Sequence, residues 1–213
     1  MQWRALALVF TLALPLAAAP LLSPRVTFTE SFPGSQPVFF QIVVRRNGAV
    51  AYTTIEKPGQ PKLHLRFTST RLAGQVFALT HKLHDFASPQ IESKKHVGAM
   101  GAKMLAYDDA RHHFQQTFNF TTVRAAAELN HIFQGVSTAS EDGLRLRREI
   151  RYDPLGVIQV LDQIGRDWEQ NQISSGAPLA PILRHAATDP DLMHIARRRA
   201  ARLLRSLTDE RHR

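Results

Sequence analysis

The sequence contains no cysteine, which excludes a disulfide bond, a thiolate metal site, a cysteine nucleophile and a lipid attached to an N-terminal cysteine. It also lacks the catalytic motifs G-x-S-x-G and H-E-x-x-H, a glycine loop that cradles phosphate, and a dinucleotide-binding fingerprint. A catalytic triad assembled only in space would leave no local motif. The sequence therefore favours a protein without enzymatic activity and without a cofactor.

No apolar run reaches the roughly 20 residues that a membrane-spanning helix needs. The N-terminus carries one basic residue, Arg4, then an apolar stretch from Ala5 to Leu14, and then small residues. This pattern is typical of a signal peptide, residues 1–19, cleaved after Ala19 or one residue earlier. An uncleaved N-terminal anchor is the alternative. We expect an exported protein, periplasmic or extracellular, with no transmembrane span after cleavage.

The composition is that of an ordinary globular protein. The 213 residues are 44% hydrophobic and 21% charged, enough for one sizeable core and a smaller lobe. The formal net charge is +9, which permits attraction to anionic partners but does not identify one.

The segment from Pro37 to Glu56 has the pattern of a β-hairpin around Asn47-Gly48, the dipeptide that favours a type I′ turn. A two-residue turn pairs Val44 with Ala51, Ile42 with Thr53 and Phe40 with Ile55, all on the core face. The opposite face should then hold a mixed set of side chains: Gln41, Arg45, Thr54, Glu56, Phe39, Val43 and Tyr52.

Further alternating runs predict a strand around Val26 to Glu30, another at Leu63 to Phe67, and a second hairpin from Lys103 to Phe120. Two helices with apolar stripes interrupt them, the first capped by Thr68 or Ser69 and the second by Thr121 or Thr122. Strands joined by tight turns must pair antiparallel. We therefore expect an α+β domain at residues 25–138, with two helices on one face of an antiparallel sheet.

The opening of this domain carries a resemblance. Gly34, Ser35, Pro37, Val38 and Phe39 resemble the signature Cys-Phe-Gly-Thr-Cys-Pro-Val-Tyr of a bacterial domain of unknown function found in exported proteins. The order of hairpin and helix also agrees over residues 25–138. Both signature cysteines are absent here, so any disulfide, redox or metal role that they have is excluded. The whole chain is similar to uncharacterised exported acidobacterial proteins, a resemblance that implies export but no activity.

A change of composition near Ser137 to Gly143 predicts a domain boundary, followed by a small all-α lobe at residues 139–213. Asp153-Pro154 and Asp189-Pro190 each have the pattern of an N-cap followed by a proline in the first helical position. Both should begin a helix, with a shorter helix around Leu179 to Ala187 between them.

Histidines, paired acidic residues and a run of arginines are the candidates for a site. His81 with His84, and His112 with His113, supply at most two ligands each, so we expect surface histidines and no metal. Asp108-Asp109 and Glu141-Asp142 are expected at turns, where aspartate bonds to the local backbone.

The densest positive run lies near the C-terminus, where three arginines should share the solvent side of the last helix: Arg198, Arg202 and Arg205. Solubility and the helix dipole are sufficient reasons for them, and anion binding is the alternative. Nucleic acid is not the expected partner of an exported chain. An envelope protein, an acidic envelope polymer or an anionic lipid surface fits better.

The function that we expect is that of a non-enzymatic binding or interaction module. A cofactor-free envelope hydrolase with dispersed catalytic residues is the second hypothesis, and a structural envelope protein is the third. A pocket that gathers a histidine with a carboxylate or hydroxyl would favour the hydrolase. An open groove between the two lobes would favour the binding module.

Overall fold

The computed structural model describes residues 23–87, 90–95 and 97–209. The predicted signal peptide, residues 1–19, lies outside them. The strands are β1 (Arg25–Ser31), β2 (Phe39–Arg45), β3 (Ala49–Ile55), β4 (Leu63–Thr68), β5 (Ala102–Asp108) and β6 (His113–Phe118). The α-helices are α1 (Thr70–Lys82), α2 (Arg124–Tyr152), α3 (Val157–Glu169), α4 (Ala180–Thr188) and α5 (His194–Thr208), with a short 3₁₀ helix at His84–Phe86.

The strands form one antiparallel sheet in the order β4-β3-β2-β1-β5-β6, so β4 and β6 are its edges. Apolar residues of α1 and of the first half of α2 share one core with a single face of the sheet. The helices α3, α4 and α5 form a second core with the rest of α2. The predicted α+β fold with a helical C-terminal lobe is confirmed.

The predicted type I′ turn is wrong, and the register of the hairpin is shifted by one residue. Gly48 has φ +89° and donates its N–H to the Arg45 carbonyl at 2.9 Å, while Asn47 keeps a negative φ. The loop therefore has three residues, 46–48, the turn in which only the last residue is left-handed. Val44 pairs with Val50, Ile42 with Tyr52, and Phe40 with Thr54.

Because side chains alternate along a strand, this shift reverses the two faces of β3. The core positions predicted for β2 are confirmed, since Phe40, Ile42 and Val44 are buried. On β3, however, Tyr52 lies in the core and is fully buried, whereas Thr53 lies on the other face.

Of the four predicted helix starts, one is confirmed and three are wrong. Ser69 caps α1, accepting the Leu72 N–H at 3.2 Å. Neither Thr121 nor Thr122 caps α2, which follows Val123, because Thr121 instead accepts the Val123 N–H in the turn before it.

Asp153 ends α2 instead of beginning a helix, and α3 starts four residues later at Val157. After the second Asp-Pro, α5 starts only at His194. In both places the aspartate side chain accepts a backbone N–H in a turn, from Gly156 and Asp191 respectively. An Asp-Pro pair suits such a turn as well as a helix start.

The 29-residue helix α2 continues through the segment where a boundary was predicted. The first core ends on this helix at Val136 and the second begins at Ala139. The single helix α2 therefore contributes residues to both cores and links the sheet to the helical lobe. Within the described residues, no helix has the length and apolarity required to cross a bilayer.

Candidate functional site

The site is built around a buried tyrosine at the point where α2 passes from one core to the other. Tyr52 on β3 donates its hydroxyl to Glu141 Oε1 at 2.5 Å and lies 3.2 Å from Ser137 Oγ. Burial and the Glu141 carboxylate raise the pKa of Tyr52 far above its usual range, so the phenol remains a donor. These contacts fix the second half of α2 against the end of the sheet.

Beside this contact lies a cleft of about 560 Å³, which we call the acidic cleft. It separates α2 from two loops of the sheet, and its walls are Gln36, Pro37, Glu56, Lys57, Gln60, Glu141, Asp142, Arg145, Arg148 and Glu149. Glu141 and Asp142 were predicted at a turn, which is wrong: both lie inside α2. They are adjacent because the helix continues past the predicted boundary.

A buried pair of carboxyl groups joins α2 to α3 behind the cleft. Asp142 is 9% exposed and Asp167 is 6% exposed. Both oxygens of Asp167 accept the Gln163 amide, at 2.8 and 3.0 Å. Asp142 Oδ2 is buried without a hydrogen-bond donor among the residues that the structure describes. Asp167 offers only acceptor oxygens, so the pair can form a hydrogen bond only when one carboxyl holds a proton.

The electrostatics of this pair favour the protonated form of Asp142. Burial, and then the charge of Asp167, raise the pKa of Asp142 to about 7, against an opposing effect of Arg145. This is the expected behaviour of two carboxyl groups held together out of water. Asp142 therefore changes its charge near neutral pH, at the wall of the cleft.

A second concavity of about 520 Å³ continues from the cleft toward the end of α2; we call it the arginine groove. The two concavities share Glu56, Gln60 and Arg148, and Arg148 Nη1 lies 3.6 Å from Glu56 Oε1 between them. The groove is lined by Glu56, Gln60, Pro61, Leu63, His64, Leu144, Arg147, Arg148, Arg151 and Tyr152. Its walls thus combine apolar side chains with a row of positive charges.

The charge of the arginine groove is not balanced. Glu56 is its one acidic residue, and that carboxylate is paired with Arg148. Within the described part of the chain, Arg147 and Arg151 have no carboxylate at ion-pairing distance, and the Arg151 guanidinium lies 5.2 Å from the centre of the Tyr152 ring. Tyr152 itself is 71% exposed. Such a groove can bind a negatively charged ligand that also presents an apolar face.

The arginines predicted from the sequence lie elsewhere. Arg198, Arg202 and Arg205 are exposed on α5, as expected for a solvent side, and they line neither the acidic cleft nor the arginine groove. On the same helix, Arg199 pairs with Asp162 of α3 at 2.6 Å. A role of these three arginines in anion binding stays a prediction.

The histidines form local pairs with aspartates. His81 lies 3.1 Å from Asp85, and the ring of His113 contacts Asp108. Asp109 accepts backbone N–H groups in the β5–β6 turn, as predicted, which lowers its pKa to about 2. The same prediction is wrong for Asp108, which is the last residue of β5 and accepts Arg25 Nε at 3.2 Å. Among the residues that the structure describes, no three His, Asp or Glu side chains form a group that could hold a metal ion.

The sequence contains one local signal for the groove. Arg147 and Arg151 are one helical turn apart, so on a helix they must share a face. The boundary predicted at 137–143 assigns this run to the helical lobe, whereas in the structure α2 continues through it and brings the run beside the sheet. The acidic pair had no such signal, because Asp142 and Asp167 lie on different helices.

The fold and the site together define an α+β protein with a two-part groove between its antiparallel sheet and the second half of α2. No protein-family model and no curated protein matches the chain. The resemblance to a bacterial domain found in exported proteins therefore stays a prediction.

Proposed function

We propose that this protein is an exported, non-enzymatic binding module that holds an acidic polysaccharide of the cell envelope in the arginine groove. One observation carries the proposal: Arg147 and Arg151 present positive charges that no carboxylate of the described residues neutralises, beside the exposed ring of Tyr152, in a concave site. A solvated charge run on a convex surface would need no such apolar lining.

The chemistry of the groove suits a chain of carboxylate-bearing sugars. A guanidinium group binds a carboxylate through two parallel N–H donors, which gives direction as well as attraction. The Tyr152 ring, with Pro61 and Leu63, supplies apolar surface against which the C–H face of a sugar ring can pack. The volume of about 520 Å³ lies in the usual range for ligand sites.

The hydrolase hypothesis has less support from the same geometry. The acidic cleft brings together Glu141 and Asp142, and the groove contains His64 with Glu56. However, the Glu141 carboxylate is engaged by Tyr52, and Asp142 Oδ2 is buried out of reach of a substrate. In the groove, Glu56 is paired with Arg148, and Thr53, whose hydroxyl lies 3.0 Å from His64 Nδ1, does not line the groove. A general acid must reach the atom that it protonates. We therefore place binding before catalysis.

The test compares two variants that lose the same charge. Arg147→Gln with Arg151→Gln should weaken binding of polygalacturonate at least tenfold in calorimetry at low salt. The control, Arg198→Gln with Arg202→Gln on α5, should keep the affinity within about twofold, since exposed charges away from a ligand act only through weak, screened attraction. Equal losses in both variants, or equal binding of uncharged dextran, would contradict the proposal.

Export is tested separately. N-terminal sequencing of the protein recovered from the periplasm or the medium should find a first residue at Ala19 or Pro20. Recovery of the full chain from Met1 only in membranes would show an anchor instead of an exported protein.

A further inference from the structure

The face of the sheet turned away from α1 and α2 carries a second set of arginines. Residues two apart on a strand share a face, so Arg25 on β1, Arg45 on β2 and Arg66 on β4 lie opposite to the core positions. Arg25 and Arg45 are direct cross-strand partners. The described helices that pack on the sheet lie on its other face, so none of them covers this side.

The three arginines surround a shallow trough of about 520 Å³ on that face. Its floor consists of small and apolar side chains, among them Val43 and Ala51. Arg25 pairs with Asp108 at 3.2 Å, whereas Arg45 and Arg66 have no carboxylate at ion-pairing distance within the described residues. Like the arginine groove, the trough thus combines unneutralised positive charge with apolar surface.

The trough and the groove both have lining residues on the edge strand β4. His64 lines the groove, and Arg66, two residues further along the same face of β4, lines the trough. Among the strands of the described residues, none pairs with the outer side of β4. A chain bound in the groove could therefore pass round this edge without crossing another strand.

The dimensions require an extended ligand. The four helical steps from Arg147 to Arg151 cover about 6 Å of helix. From Arg66 to Arg25 the distance is three strand spacings, about 14 Å. We call the path through the arginine groove, round β4 and across the trough the track. The track is longer than the groove alone, and arginines recur along its length.

We infer that the acidic polysaccharide chain proposed for the arginine groove continues round the edge of β4 and lies across the open face of the sheet, along His64, Arg66, Arg45 and Arg25. The inference rests on the proposed function and adds to it the direction of the chain and a minimum length. Charge complementarity along a linear path selects a polymer over a small anion.

The experiment measures how affinity depends on chain length, with oligogalacturonates of three and twelve residues and the full-length protein. The trimer fills only the groove, and the dodecamer can also reach the trough. For the unmodified protein we expect the dodecamer to bind at least tenfold more tightly than the trimer. Arg45→Gln with Arg66→Gln should remove most of this gain and leave the affinity for the trimer within about twofold.

The outcomes separate this inference from the proposed function. If the trimer binds and its affinity depends on Arg147 and Arg151, but the dodecamer gains nothing or its gain survives Arg45→Gln with Arg66→Gln, the groove stands and the track is wrong. If neither oligomer binds, both the proposed function and the track are wrong. An equal loss with the α5 control, Arg198→Gln with Arg202→Gln, would show nonspecific attraction and would also overturn the track.

Discussion

The two halves of α2 differ in what they bury. The first half packs Leu129, Phe133 and Val136 under the sheet, in a core of apolar and aromatic side chains. The second half buries Ser140 and Asp142 and carries the arginines of the groove. One continuous helix thus contributes to two cores, and its second half adds a buried carboxyl group and the arginines of the groove. Polar groups held out of water in this way are common at functional sites, where stability is exchanged for chemistry.

The largest expected effect lies in the first half. The Phe133 ring is fully buried and stacks on Phe28 with ring centres 4.9 Å apart. Phe133→Ala should lower the free energy of unfolding by about 3 to 5 kcal/mol, from lost burial and the cavity that remains. His131→Ala, at an exposed position on the same helix, should change it by less than about 0.5 kcal/mol. Urea unfolding of both variants measures the difference, and similar values would refute the assignment of faces on α2.

The second prediction concerns pH and the acidic pair. The pKa of Asp142 is raised from 3.8 to about 7, so the folded state holds this proton more tightly than the unfolded state. The resulting stability is fully present below about pH 3.8 and is lost as the pH rises toward 7. A shift of this size corresponds to at most about 4 kcal/mol.

Asparagine resembles the protonated acid, so Asp142→Asn should stabilise the protein by up to about 4 kcal/mol at pH 8.5 and have little effect near pH 4. Asp191→Asn, at an exposed acid, is the control and should show no such contrast. Urea unfolding at both pH values gives the comparison. A stabilisation of Asp142→Asn that is the same at both values would mean that the carboxyl pair does not hold a proton.

The third prediction concerns the junction of the two halves, where α2 contacts the loop before α4. A Cβ on Gly135 would lie 2.6 Å from the Ser174 backbone nitrogen, and Ser174 Oγ donates to the Ile132 carbonyl at 2.6 Å. Gly135→Ala should therefore cost about 1 to 3 kcal/mol through overpacking.

The matched control is Gly74→Ala on α1, where the added Cβ meets nothing within 4 Å. There the substitution should stabilise the protein by up to about 1 kcal/mol, since alanine is the better helix former. Thermal unfolding of both variants tests the contact. If the two glycines gave the same sign, the close approach of α2 and the loop would be wrong.

The smallest effect on stability is expected for the arginines of the second half. Arg147→Gln with Arg151→Gln and Arg198→Gln with Arg202→Gln should each change the free energy of unfolding by about 0.5 kcal/mol or less. Their difference should appear only in ligand binding. A large loss of stability in the first pair would mean that these arginines support the fold instead of a ligand.

Local patterns predicted most of the fold. The Ser69 cap, the antiparallel pairing and the apolar stripes of the helices follow from residue spacing, and the structure confirms them. Residue spacing predicted the wrong face of the sheet for Tyr52. The loop contains one extra residue, Arg46, and this reverses the face of every side chain of β3. Asn-Gly is compatible with both loop lengths. A Cβ added at Gly48 would lie 3.1 Å from Thr70 Cγ2, a tertiary restriction that the sequence does not show.

The candidate site was less accessible to prediction for a physical reason. Asp142 and Asp167 meet only because α2 and α3 pack together, and Tyr52 reaches Glu141 across 89 positions of sequence. Only the helical spacing of Arg147 and Arg151 was visible locally. The site forms only when distant segments pack together, whereas the strands and helices that hold it can be predicted from the local spacing of apolar residues.

The central claim is that the second half of α2 carries the ligand-binding arginines. The most direct test is the NMR signal of each arginine Nε–H group during titration with trigalacturonate at low salt. We predict large shifts for Arg147 and Arg151 that saturate together, with the signals of Arg198, Arg202 and Arg205 unchanged. Shifts confined to the α5 arginines, or no saturable shift at all, would contradict the account.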